Sequence, residues 1–289
     1  MDFGWDDLRL FLSVARLGGL SAARSVTGLS AATLGRRVTA LEREMGEALF
    51  VRSQSGYRLT AAGEDLLARA EDVEAAMLAL KRWQEGSLGA RVVRVSAGAW
   101  TSAMLARSIG SLWRADDPFG LELVTASANV DIGRRHADLG LRNARPTEQW
   151  LAGRLLGKVA YAIYSGRELT NGVKAGYFVG MVGDGGQTRS SRWLAARHGD
   201  RIVVRGNDAA SVRELVANGA GLSVFPCFAG DSDPRLVRVA GLIGELETEH
   251  WLVSHHEERH MPAVHAVSER IALLVRAHNA LFAGDRPQP

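Results

Sequence analysis

The sequence predicts an α/β protein with a helix-rich N-terminal part, and three observations carry that prediction. Up to Gln84 the apolar residues recur at helical spacing and are punctuated by glycine. Gly86-Ser87-Leu88-Gly89 then breaks the pattern. From Val92 onward short apolar runs alternate with helical stretches, the texture of a parallel-rich layered fold. The length of 289 residues suits about two domains. A hydrophobic fraction of 46% and a charged fraction of 23% exclude disordered, collagen-like and low-complexity chains. No stretch reaches the ~20 apolar residues that span a bilayer. The opening MDFGWDDLRLF carries acids where a signal peptide needs positive charge, so a cytoplasmic location is expected. Cys227 is the one cysteine, which rules out an intrachain disulfide and a multi-cysteine zinc site.

Leu8, Phe11, Leu12 and Ala15 line one face of a first helix, which Gly18-Gly19 ends. Ser21 is expected to cap a short second helix, Ala22 to Thr27, stopped by Gly28. Ser30 is placed to cap a third helix from Ala31 to Met45, with Leu34, Val38, Leu41 and Met45 as its apolar stripe and Gly46 just past its end. Two helices joined by a tight glycine turn make a helix-turn-helix outline. The outward face of the third helix is expected to hold Ala31, Ala32, Thr33, Gly35, Arg36, Arg37 and Ala40. Small residues let a helix sink into a major groove, and arginine pairs with guanine or phosphate. The runs Leu49 to Arg52 and Tyr57 to Leu59 flank a polar turn and read as a hairpin, or wing, with Arg52 at its base. Thr60 opens a long helix to Gln84. On it Leu66, Ala70, Val73, Met77 and Leu80 alternate steps of four and three. Leu66, Val73, Met77 and Leu80 are the expected dimerisation residues, since a heptad-like stripe needs a partner and half-site readers are usually two-fold dimers.

The net charge of +3 hides a local excess. Between Leu8 and Thr60 stand eight arginines (Arg9, Arg16, Arg24, Arg36, Arg37, Arg43, Arg52, Arg58) against Glu42, Glu44 and Glu47, a balance of +5. Asp2, Asp6 and Asp7 before it, and the acids from Glu64 to Glu74 after it, cancel that excess. A basic surface on a small helical unit is the electrostatic footprint of nucleic-acid binding; a merely solvated face is the plainer reading.

Beyond the break, strands are expected at Val92–Ser96, Leu121–Ala126, Ala137–Arg142, Val159–Tyr164, Tyr177–Val182, Ile202–Arg205, Leu222–Phe225, Leu236–Val239 and His250–Ser254. Helices are expected at Thr101–Arg114, Ser190–His198, Ala209–Asn218 and Val264–Phe282. About 200 residues suffice for two small α/β lobes.

The stretches LRLFLSVARLGGLSAARS, LSAATLGRRVTALEREMGEALFVRS and YRLTAAGEDLL together resemble the winged helix-turn-helix of LysR-type transcriptional regulators. ADLGLR with RPTEQWLAGRLLGKVAYAIYS, ASVRELVANGAGLSVFP and EHWLVSHHEERHMPAVHAVSERIALLV resemble, more loosely, that family's effector domain, which looks like a periplasmic binding protein with two lobes and two crossing segments. The resemblance implies domains at 1–60 (DNA-binding), 61–89 (linker and dimerisation helix) and 90–289 (effector-binding), with lobe one at 90–161 and 262–289 and lobe two at 162–261. It implies a regulator rather than an enzyme, without cofactor or metal, acting as a homodimer or tetramer. Its implied partners are double-stranded operator DNA, a small-molecule effector and RNA polymerase, with no membrane. Carried over by position, Ser30, Ala31, Ala32, Gly35 and Arg36 face the groove, Arg37 lies beside them, Arg52 is the wing contact, and Ser21 and Thr60 contact phosphate. The chain departs from the family where DNA is read: Ala31 and Ala32 replace the frequent Gln-Pro, Gly35 a serine and Thr27 a leucine. The operator sequence therefore does not carry over from relatives.

In open α/β sheets ligands sit beyond the carboxyl ends of strands, where helix N-termini suit a carboxylate. That rule singles out Trp100, Thr101, Ser102, Asn129, Arg142, Asn207 and Phe225 as effector contacts. Two other readings compete. His256-Glu257-Glu258-Arg259-His260 spells the H-E-x-x-H pattern of metal-dependent hydrolases, which functions only on a helix, and Pro262 disfavours one. A small-molecule binding protein whose N-terminal unit only dimerises is the other. Gly183-Asp184-Gly185-Gly186 lacks the spacing of a phosphate cradle, and Cys227 after an apolar strand reads as an inert small hydrophobe rather than a redox sensor.

Overall fold

The structure is a computed structural model that describes residues 3–53, 56–86, 91–125, 137–167 and 176–285. The chain forms two compact units, Met1–Glu85 and Gly86–Pro289.

The first unit holds α1 (Trp5–Leu17), α2 (Leu20–Thr27), α3 (Ala31–Met45), the antiparallel pair β1 (Phe50–Ser53) and β2 (Gly56–Leu59), and α4 (Ala61–Gly86). α1, α2 and α3 each stop at a glycine in the left-handed region, Gly18, Gly28 and Gly46, with φ of 71°, 70° and 72°. Their inward faces meet: Phe11 and Leu12 from α1 pack with Leu34, Val38 and Leu41 from α3, and with Leu66 and Ala70 from α4. Two expectations change here. α2 begins at Leu20, with Gly19 as its cap residue, so Ser21 lies inside the helix and caps nothing. Leu20 packs against the core, and that draws it into the first turn. The unit also does not end at residue 60, because the first turns of α4 complete its core.

The second unit holds two lobes. In lobe one, β3 (Arg91–Ala97), β4 (Phe119–Thr125), β5 (Leu139–Arg142), β6 (Leu151–Val159) and β12 (Thr248–His255) form one sheet in the order β4-β3-β5-β12-β6. β3 runs parallel to β4 and β5, whereas β12 runs antiparallel to β5 and β6. α5 (Ala99–Arg107), α6 (Ile109–Leu112), α10 (Pro262–Ala277) and α11 (Asn279–Ala283) belong with it. In lobe two, β10 (Ser223–Pro226), β7 (Tyr161–Gly166) and β11 (Leu236–Arg238) are antiparallel, and β8 (Phe178–Met181) pairs parallel with β9 (Ile202–Gly206). The Val179 N–H donates to Leu222 O at 2.7 Å and the Leu222 N–H to Tyr177 O at 2.9 Å, stitching the two sets together. α7 (Arg189–His198), α8 (Ala209–Ala217) and α9 (Cys227–Gly230) complete lobe two.

Three expectations are corrected. The predicted strand over 159–164 is two strands, and β6 ahead of it carries no alternation because Gly153 and Gly157 interrupt it. Gly153 is required there, since a Cβ would sit 2.8 Å from the Pro146 ring. The predicted helix 101–114 is broken at Ser108, and the last helix at His278. Lobe two does not extend to residue 261: β12 is an interior strand of the lobe-one sheet, so the return crossing falls ahead of Thr248. No helix among the described residues is long and apolar enough to cross a membrane.

His250 sits at an irregularity in the β12–β6 pairing, opposite Gly157. It is 1% exposed and stacks on Phe282 at 5.2 Å. Its Nδ1 meets no hydrogen-bond partner among the described residues. Burial lowers its pKa from 6.5 to about 4. Between those values the unfolded chain binds a proton that the folded chain refuses, so stability is full above the unfolded value and falls with pH below it. We expect a loss of up to about 3 kcal/mol between pH 7 and pH 4. Urea unfolding across that range should show a His250→Leu chain with a flatter profile.

Candidate functional site

The surface of α3 is set by what its other side buries. Leu34, Val38 and Leu41 are 0–2% exposed, which turns Ala32, Arg36, Thr39 and Arg43 outward at successive helical steps. Ser30 caps the helix, its Oγ accepting from the Thr33 N–H at 3.2 Å and lying 2.9 Å from the Thr33 Oγ1. Ala31 is half-buried and Ala32 exposed. Two expected groove residues are placed otherwise. Gly35 faces α2, where a Cβ would lie 3.2 Å from Leu20 Cδ1, so its smallness serves helix packing. Arg37 is bound to Asp7 of α1 at 2.7 Å. Sequence reasoning missed Thr39 and Arg43, although Arg43 stands seven residues after Arg36, two turns along the same face.

The unit's charge resolves in the same way. Arg16 pairs with Glu71 and Glu74 at 3.3 and 2.6 Å, and Arg9 with Asp6 at 3.4 Å. Arg24, Arg36, Arg43 and Arg58 are exposed and form no ion pair among the described residues. The flanking acids thus neutralise particular arginines and leave the outward ones free. Arg52 lies in β1 opposite Tyr57, but its side chain lies outside the described set. Ser21 is exposed on α2. The Thr60 hydroxyl donates to Ala48 O at 2.6 Å and accepts from the Gly63 N–H at 3.0 Å. Its proton is therefore committed to the fold and is not offered to a phosphate.

Along α4 the apolar stripe divides. Leu66 is 6% exposed and belongs to the core, which removes it from the expected dimer face. Val73, Met77 and Leu80 are 40%, 40% and 56% exposed, an apolar row that no described residue buries.

Between the lobes of the second unit lies a cleft of about 920 Å³. The first turns of α5, α7 and α8 line it. α7 is capped by Thr188 and α8 by Asp208, whose carboxyl is held below its usual range by the Ser211 hydroxyl and N–H. α5 follows Gly98, which has no side chain to cap it, and Ala99, Trp100 and Thr101 of its first turn line the cleft. Arg142 lines the same end, its Nη1 donating to Ser96 O at 3.1 Å and to Leu141 O at 3.0 Å. Phe225 is fully buried and forms an aromatic wall with Trp100 at 4.9 Å and Tyr164 at 5.8 Å. Asn207 lines the cleft just ahead of the α8 cap. Ser102 does not, because it turns inward and donates to Ala97 O at 3.1 Å. Asn129 lies outside the described residues. The sequence reading missed Tyr161, whose hydroxyl burial pushes up to about 12, and the Thr188–Ser191 turn. A Thr-Arg-Ser-Ser run opening a helix after a strand was the signal for the latter.

The remaining motifs resolve locally. His256 follows β12 and His260 ends a single 3-10 turn, so the two imidazoles share no helix face. His256 contacts Trp150 O at 3.1 Å and His260 accepts from Arg259 at 2.9 Å. Among the described residues no three His, Cys, Asp or Glu side chains gather as a metal site. Cys227 is fully buried at the start of α9.

A winged helix-turn-helix is thus followed by a long helix and a cleft-bearing two-lobed α/β unit. Residues 5–64 match the family described as bacterial regulatory helix-turn-helix protein, lysR family, and residues 89–273, more than half of the chain, match the LysR substrate binding domain. The chain belongs to the LysR family of transcriptional regulators. It is 29% identical over 161 residues to the Mau operon transcriptional activator of Paracoccus denitrificans, covering 54% of this chain and 56% of that one. The match thus spans little more than half the length of this curated relative. The fold matches full-length CbnR complexed with its target DNA, with 16% identity, a TM-score of 0.57 and coverage of 94% and 100%. It also matches full-length LysG of Corynebacterium glutamicum with bound effector Arg, with 16% identity, a TM-score of 0.51 and coverage of 99% and 100%.

Two substitutions test the described packing. Leu66→Ala is expected to destabilise the N-terminal unit by about 2–5 kcal/mol. Thr60→Val, losing a cap and a bond to Ala48, should cost about 1–2 kcal/mol. Denaturant unfolding of the full chain measures both.

Proposed function

We propose that the protein is a sequence-specific, DNA-binding transcriptional regulator that answers to a small-molecule effector, and that it is not an enzyme. The observation that carries this reading is the outward face of α3, where Arg36 and Arg43 stand free after the flanking acids have neutralised Arg9, Arg16 and Arg37. An arginine-bearing helix of helix-turn-helix geometry suits a major groove, and the remaining exposed arginines suit phosphate. The DNA complex of CbnR and the transcriptional activator named among the relatives support it. Ser30, Ala31, Ala32 and Arg36 are the base-facing set of this reading, with Arg52 on the wing. Operator DNA in the cytoplasm and RNA polymerase beside it are its partners.

The effector enters the interlobe cleft. Trp100, Thr101, Arg142, Asn207 and Phe225 contact it, and the uncapped start of α5 beside Arg142 favours an anionic group such as a carboxylate. The effector-bound LysG structure is consistent with this use of the fold. Val73, Met77 and Leu80 of α4 meet the same row on a second copy, forming a dimer or a dimer of dimers.

Selection of duplexes from a random pool by the full-length protein, followed by gel shift, tests the DNA reading. Arg36→Ala is expected to weaken the selected duplex about 5- to 150-fold, the range of one lost bidentate contact. Affinity should also fall steeply with salt. A paired Met77→Glu, Leu80→Glu chain is expected to sediment as a smaller species than the parent. Unchanged affinity in the first experiment or unchanged mass in the second contradicts the corresponding assignment.

A further inference from the structure

The readable face of α3 is chemically narrow. A recognition helix presents its N-terminal residues to base edges. In that half of α3 the hydroxyls of Ser30 and Thr33 are engaged with each other and with the helix N–H at 3.2 Å. Arg37 is held by Asp7, and Gly35 faces Leu20. Ala32 and Arg36, four residues apart, are both exposed, and neither side chain bonds to another among the described residues. One offers a methyl group, the other a planar pair of donors.

We propose, building on the DNA-reading function above, that Ala32 reads thymine through its C5-methyl group and that Arg36 reads guanine on the same face. An alanine side chain has neither donor nor acceptor. Among the features that base pairs present in the major groove, the thymine methyl is the apolar one it can match. The side chain is short, so the helix backbone must approach closely, and the smallness of Ala31 beside it permits that approach. Four residues of helix advance about 6 Å. Base pairs repeat every ~3.4 Å, so the thymine and guanine fall within about three base pairs of one another in each half-site. Arg36 supplies the hydrogen-bonded readout and Ala32 the discrimination against bases that lack a methyl group.

The test uses the full-length chain and its selected duplex. The selected half-site is expected to contain thymine and guanine at this separation. Replacing that thymine by deoxyuridine, which removes only the methyl group, is expected to weaken binding about fourfold, the loss of one buried apolar carbon. Ala32→Gly should cost a similar factor on the thymine duplex and little more on the deoxyuridine duplex, because both changes delete one contact. The DNA substitution leaves the protein untouched, so misfolding of Ala32→Gly does not obscure the result. Deoxyuridine duplexes that all bind as tightly as the parent overturn the proposal, as do losses that multiply independently. A chain that selects no duplex at all overturns the regulator reading itself, and this inference with it.

Discussion

Burial of one stripe on α3 decides what the N-terminal unit can do. Leu34, Val38 and Leu41 each withdraw from water with a gain of roughly 1.5–3 kcal/mol, and that sum fixes the rotation of the helix about its axis. The rotation in turn dictates that Ala32, Arg36, Thr39 and Arg43 point away from the core. Gly35 and Arg37 flank the stripe too closely to join them: the first is consumed in packing against Leu20 and the second in its pair with Asp7. The outward surface is thus the remainder of a packing problem.

The acids that make the whole chain look almost neutral have a positional meaning. Glu71 and Glu74 of α4 clasp Arg16, tying the long helix to α1. Such partly exposed pairs contribute little stability each. Their larger effect is on the field: they remove charge where helices meet and leave it where a polyanion would approach.

In the second unit the lobes are linked by continuous chain at Ala160 and ahead of Thr248, and the cleft is formed where strand ends and helix starts from both lobes converge. The lobes also touch through Trp100 on Phe225, an aromatic contact from the uncapped turn of α5 to the end of β10. A ligand at that turn therefore meets a group shared by the cores of both lobes.

The α1–α4 order, the wing, the Ser30 and Thr60 caps and most strands were legible in the sequence, because they follow from local periodicity, glycine punctuation and capping chemistry. β6 was not, since Gly153, demanded by Pro146, and Gly157, at a φ of 155° with Asn279 beside it, erase its alternation. Neither was the membership of β12, whose neighbours are set by pairing with segments far away in the chain. Composition and spacing by themselves determined that an arginine-rich helical unit precedes an α/β body. Only the tertiary structure decided which arginines are free, which part of the α4 stripe is core and which is exposed, and which expected cleft residues turn inward, because those outcomes depend on which partner each side chain meets across the fold.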